Sequence, residues 1–259
     1  MTLFFRAHQK TIKNNLRNDY LKGNAMEIIS IRKGFHADHS STSYEFYAVE
    51  KPLTKSQRAN VGRLSSRATP TGRRVSFIYH GDWSDLPNGW EPLMEKYYDV
   101  MYSESYEWWT LAMAFDADAA KIAEIEPYAF QGVEDLGVFV DAKRDRVVIM
   151  ISCRLDAAQV LDDRYTEYEY RDEYDDMDED EEDLKEAGDS LLELLAKNRE
   201  CIKNGDYRLL YGIWQIYGYS QQDDEDEEEW EEMAPPDPGG MDDCPEEISD
   251  LLRAIKEES

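Results

Sequence analysis

His36, Asp38 and His39 stand within four positions of one another in the polar stretch GFHADHSSTS, residues 34–43. Imidazole nitrogens and a carboxylate are ligands that zinc or iron accepts, but a structural site needs four and a catalytic site three plus water. His80, with Asp82 beside it, is the set that could complete one. Two histidines at this spacing lack the second half of a known ligand motif. The stretch also reads as a hydrogen-bonding loop, which is the plainer expectation. The metal candidates are therefore His36, Asp38, His39 and His80, and no resident cofactor is expected.

Other chemistry is less legible. His80 and Cys153 can be paired on paper as base and nucleophile, but Cys153 ends the apolar run VVIMISC. A cysteine in such a strand is usually an inert small hydrophobe. With 57 aspartates and glutamates, adjacent carboxylates carry no information unless burial tunes their pKa values. The run 175–183 lacks the glycine of an EF-hand loop. Phosphate-binding glycine loops, the nucleophile elbow and the HExxH zinc helix are missing from the chain. The expectation is a non-catalytic protein. Tyr97, Tyr98, Tyr102, Tyr106, Trp108 and Trp109 are read as core rather than as an aromatic groove. Arg63, Arg67, Arg73 and Arg74 gather around Ser65 and Ser66, a set suited to phosphate or, more plainly, to the chain's own acidic loop.

Charge is the strongest signal. The net charge is −28, and residues 161–259 carry −27 of it, against +4 for residues 1–25 and −5 for residues 26–160. Such a surface repels nucleic-acid phosphates and anionic membranes and attracts basic proteins. A basic protein partner is expected, and direct nucleic-acid binding is not. Three widely spaced cysteines form no CxxC pair, which suits a reducing cytoplasm. No run of 18 apolar residues is present, so no membrane helix is expected. Residues 1–25 lack the apolar core of a signal peptide and read as a flexible basic extension.

The elements that would position these residues follow from periodicity. Strands are expected at 27–32, 44–50, 74–80 and 107–115, with a hairpin at 136–140 and 146–153. Thr54 and Gln57 have the spacing of a capping box for a helix over 54–66. A second helix from Pro92 would place Leu93, Met94, Tyr97, Tyr98 and Met101 on one face. A third would be capped by Asp116. After an acidic loop at 161–189, a helical hairpin spans 190–219 and packs on the body, stopped in its middle by Gly205. An acidic Pro/Gly linker covers 220–244, and a last helix covers 245–259. The fold class is α+β, a mixed sheet with helices over 26–160 followed by a helical acidic C-terminal region. Trp214, Trp230, Ile248, Leu251 and Leu252 are the candidate partner-binding residues.

The stretches GFHADHSSTSYEF (34–46), AVEKPLT (48–54), LSSRATPT (64–71), NGWEPLMEKYYDVMYSESYEWWTLAMAF (88–115) and NGDYRLLYGIW (204–214) resemble an uncharacterised family of bacterial and archaeal proteins. The resemblance implies no assigned activity. Members of that family look like neighbours of proteins with a SWIM-type zinc finger, which implies nucleic-acid-related partners, although the CxC…CxH pattern of that finger is absent here. The chain is also similar to small accessory proteins encoded in some CRISPR loci. The leading expectation is an interaction or adaptor module with an acidic surface. The alternatives are a component of an antiviral defence system and an enzyme or metal protein centred on the histidine loop.

Overall fold

The computed structural model describes residues 41–66, 68–80, 86, 89–105, 108–156, 190–218 and 234–256. The expected strand at 27–32 lies outside them. Seven strands form one sheet: β1 (Ser41–Tyr47), β2 (Arg74–His80), β3 (Val100–Ser105), β4 (Trp108–Asp116), β5 (Phe130–Gln131), β6 (Gly137–Lys143) and β7 (Arg146–Arg154). Their order is β2-β1-β3-β4-β7-β6-β5, with β4 in the centre. Among the described residues six α-helices accompany them: α1 (Lys55–Gly62), α2 (Glu91–Lys96), α3 (Ala119–Ile125), α4 (Ser190–Lys203), α5 (Arg208–Tyr217) and α6 (Glu246–Ala254). The fold is α+β. The sheet is not mixed, because every neighbouring pair is antiparallel. The excursion through α1 shows why: Tyr47 and Arg74 are paired across β1 and β2, so the helix returns the chain to the end it left. A parallel pair would need a crossover to the opposite end.

Alternation along the central strands sorts two cores. Trp109, Leu111, Met113 and Phe115 of β4, with Val147, Ile149, Ile151 and Cys153 of β7, face α3, α4, α5 and α6. Ala112 and Ala114, with Val148 and Met150, face the layer that holds α1 and α2. A strand covered on both sides is apolar at nearly every position, as β4 is. Each fully buried Leu or Ile here contributes on the order of 2 kcal/mol. The C-terminal helices thus share one core with the sheet. The chain end is tied in as well, since Lys256 N–H donates to Arg154 O at 2.9 Å and Asp156 N–H to Ala254 O at 2.8 Å. Among the described residues no helix is long and apolar enough to cross a membrane.

Local signals hold at several boundaries and fail at two. Thr54 caps α1 with the full capping box. Gly205, at φ +93°, ends α4: its N–H reaches Ile202 O at 3.0 Å and the Asp206 N–H reaches Cys201 O at 2.9 Å, a Schellman closure. The cap of α3 is Asp118, which accepts from Lys121 N–H at 2.8 Å; Asp116 instead closes β4 opposite Arg146. The helix from Pro92 stops at Lys96, and Val100–Ser105 is a strand. Asp99 N–H donates to Tyr47 O at 3.0 Å, so the growing sheet captures the backbone that helical spacing would have kept. Tyr98, Tyr102 and Trp109 are buried, as core aromatics should be.

Candidate functional site

The described residues disperse the sequence candidates. His36, Asp38, His39 and Trp230 lie outside them. His80 is the last residue of β2, at one edge of the sheet, and its side chain is also outside them. Among the described residues no three His, Cys, Asp or Glu side chains converge as metal ligands do. Three of the partner-binding candidates are buried. Ile248 and Leu251 are buried in the core that α4, α5 and α6 share with the sheet, and Trp214 is buried with its ring 5.5 Å from that of Tyr211 on the same helix. Leu252 is half-buried where α6 meets α5 at Gly212.

What the fold brings together is a set of carboxylates that spacing did not mark. Glu91 stands in the first turn of α2, against β6 and β7. Both of its carboxylate oxygens are buried without a hydrogen-bond partner. They border a cavity of about 10 Å³, walled by Trp90, Phe139, Val148 and Met150 and by the carboxylates of Glu95 and Asp141. That is room for a single water. Burial pushes the Glu91 carboxyl up to about 7, and the negative charges of Asp141 and Glu95 push the same way, against the pull of backbone groups at Glu91 and Trp90. Asp141 is also held above its usual range by burial, which the neighbouring Lys143 only partly offsets. Lys143 Nζ lies 3.2 Å from Asp141 and 3.6 Å from Glu95. Chemically, Glu91 can hold a proton near neutrality and release it.

A second polar cluster joins α4 to the N-terminal half. Arg199 is 1% exposed. Its Nε donates to Ala114 O at 2.7 Å, Nη2 donates to Glu50 Oε1 at 2.8 Å, and Nη1 donates to Glu200 Oε1 at 2.5 Å. The guanidinium lies over the Phe115 ring, 5.8 Å from its centroid. Asp99, 3.9 Å away, accepts from Arg146 Nη2 at 2.8 Å and from Glu50 N–H at 2.9 Å. Arg146 in turn donates to Met94 O and Tyr98 O, both at 2.9 Å, satisfying carbonyls at the end of α2. The bond from Lys203, then that from Arg199, holds the Glu50 carboxyl down to about 2. Every charge here has a partner, which is what makes burial of Arg199 tolerable.

One signal pointed to this cluster. Asn198 and Arg199 interrupt the stripe Leu191, Leu195, Ile202 on α4, and polar residues at core positions must be satisfied internally. Asn198 Nδ2 donates to Leu194 O at 2.9 Å and to Glu247 O at 2.8 Å, fastening α6 to α4. Nothing comparable marks Glu91, whose surroundings come from β6 and β7, about fifty residues downstream. Compared with protein-family models, with curated proteins and with solved structures, the chain has no match.

Proposed function

We propose that this chain is a non-catalytic interaction module of the cytoplasm, in which an α+β body carries acidic stretches that engage a basic protein partner by charge. The observation that supports this reading is the division of labour along the sequence. The apolar faces of α4, α5 and α6 are consumed by the sheet, and among the described residues Val133 is the one exposed large hydrophobic. Residues 161–259 nevertheless carry −27. A surface with little apolar area and much charge of one sign binds through electrostatics, with a fast approach and strong salt dependence. The three cysteines are free thiols, in keeping with a reducing compartment.

The test compares the intact chain with one whose residues 161–189 are replaced by a Gly/Ser linker of equal length, each used to capture proteins at low and high salt. A basic protein recovered by the intact chain, and lost both with the linker and at about 0.5 M salt, is the expected result. Equal recovery by the two chains overturns the proposal.

A further inference from the structure

Residues 51–74 contain seven lysines and arginines and no aspartate or glutamate, within a chain of net charge −28. The fold gathers this stretch rather than spreading it. Leu53 N–H donates to Gly72 O at 2.6 Å and Ala48 N–H to Arg73 O at 2.8 Å, so the exit from β1 and the entry to β2 run side by side. Arg73 is fixed there by Nη1, which donates to Ala48 O at 2.7 Å and Val49 O at 3.0 Å. Arg74 lies over the ring of Tyr47. Lys51, Lys55 and Arg63 are exposed. The adjoining carboxylate, Glu50, is taken up by Arg199 and Lys203.

We propose that this basic surface, formed by α1 and the two chain segments flanking it, is the docking site for the chain's own acidic run, residues 162–183, within one molecule. That run contains fourteen acids and two bases. The chain between Asp156 and Ser190 is long enough to span about 110 Å when extended, so reach does not limit the contact. Tethering supplies an effective concentration on the order of millimolar. A free polyanion must instead approach a molecule of net charge −28. Each exposed pair contributes only about 0.2–1 kcal/mol, so the contact depends on the number of charges and dissolves in salt. A basic partner would compete with Lys51, Lys55 and Arg63 for the same carboxylates.

The test is zero-length carbodiimide cross-linking of the full chain at low salt, with the linked peptides mapped by mass. Lys203 and Glu50, 2.6 Å apart, serve as the internal control. The expected result is amide links from Lys51 and Lys55 to carboxylates in 162–183, falling at least tenfold in 1 M salt and unchanged on dilution. A second chain, with the acids of 175–183 changed to amides (Asp→Asn, Glu→Gln), should lose most of these links and bind heparin at least tenfold more tightly. Three results overturn the proposal. One is the control link forming without the Lys51 and Lys55 links. Another is links of which about half join a heavy to a light copy in an equal isotope mixture, the share that random pairing between molecules gives and links within one molecule do not, which assigns the surface to a second molecule. The last is equal heparin binding by both chains, which assigns it to an external polyanion.

Discussion

Arg199 Nη2 donates to Glu50 Oε1 at 2.8 Å across 149 positions of sequence, from a side chain almost wholly removed from water. The bond ties the fourth helix to the end of the first strand. It helps a C-terminal helix cover a sheet begun more than a hundred residues earlier. Its surroundings are ordered for that purpose: one carbonyl, one aromatic face and two carboxylates share the guanidinium.

Removing Arg199 should therefore cost more than an ordinary surface ion pair. Arg199→Ala leaves Ala114 O unpaired and opens a void against Phe115, and a loss of about 3 kcal/mol is expected in chemical denaturation. Arg199→Lys keeps the charge but cannot make three directed bonds, so it should fall between alanine and wild type. A cost below about 1 kcal/mol for Arg199→Ala would contradict this account.

Glu50 gives the same cluster an acid limb. Its folded pKa is lowered, so its stabilisation is present above the ordinary value of 4.5 and is lost as pH falls towards about 2. Because the side chain is 45% exposed, solvent screening keeps the contribution under about 1 kcal/mol. Glu50→Gln should flatten the stability profile between pH 4.5 and 2 by that small amount, as read from thermal melts.

Glu91 acts in the opposite sense. Its folded pKa is raised from 4.5 to about 7, so the native state binds the proton more tightly than the unfolded chain. Stability then falls as pH rises from 4.5 to 7, and above 7 the full cost is present, about 3 kcal/mol at 1.36 kcal/mol per unit. Glu91→Gln should be more stable than wild type at pH 8 and equal to it at pH 4. Parallel pH profiles for the two proteins would show that the carboxyl is ionised without penalty.

Two glycines should respond differently to the same change. A Cβ on Gly132 would meet the backbone carbonyl oxygens of Tyr217 and Leu136, neither of which can yield cheaply. Gly132→Ala is expected to cost about 2–3 kcal/mol. A Cβ on Gly212 would lie 2.7 Å from Leu252 Cδ1, a side-chain tip that can rotate. Alanine also gains about 1 kcal/mol of helix propensity at that position. Gly212→Ala should therefore stay within about 1 kcal/mol of wild type, while Gly212→Val should not. Denaturation midpoints decide between them.

The thiols should be slow. Burial, with the bond to Glu247 and the charges of Glu247 and Asp206, pushes the Cys201 thiol up to about 11, and Cys244 is raised by burial as well. Cys153 is fully buried. At pH 8 a disulfide reagent should react with Cys153 and Cys201 at least a hundredfold more slowly in the native protein than in denaturant, and with Cys244 more slowly as well. A fast native phase would reveal an activated thiolate.

Much of the secondary structure is written locally. The capping box at Thr54, the glycine after α4, the period-two run of β2 and the apolar stripe of α6 each depend on residues within one or two turns of one another. Backbone sterics and local hydrogen bonds decide such features. The tract 97–101 is different. Its residues suit either period, and the choice fell to Tyr47, whose carbonyl takes the Asp99 N–H. The antiparallel sense of the whole sheet likewise depends on which ends the connections return to.

The distribution of charge, the α+β class and the presence of amphipathic C-terminal helices were determined by the sequence alone, because composition and periodicity do not depend on long-range contacts. Which faces those helices could offer was decided only by tertiary structure. Ile248 and Leu251 look available as a stripe, yet the core that the helices share with the sheet buries them. Glu91 shows the same division. As one carboxylate among 57 acidic residues it carries no mark in the chain. Its proton affinity comes from dehydration against β6 and β7, and dehydration depends on neighbours in space rather than in sequence.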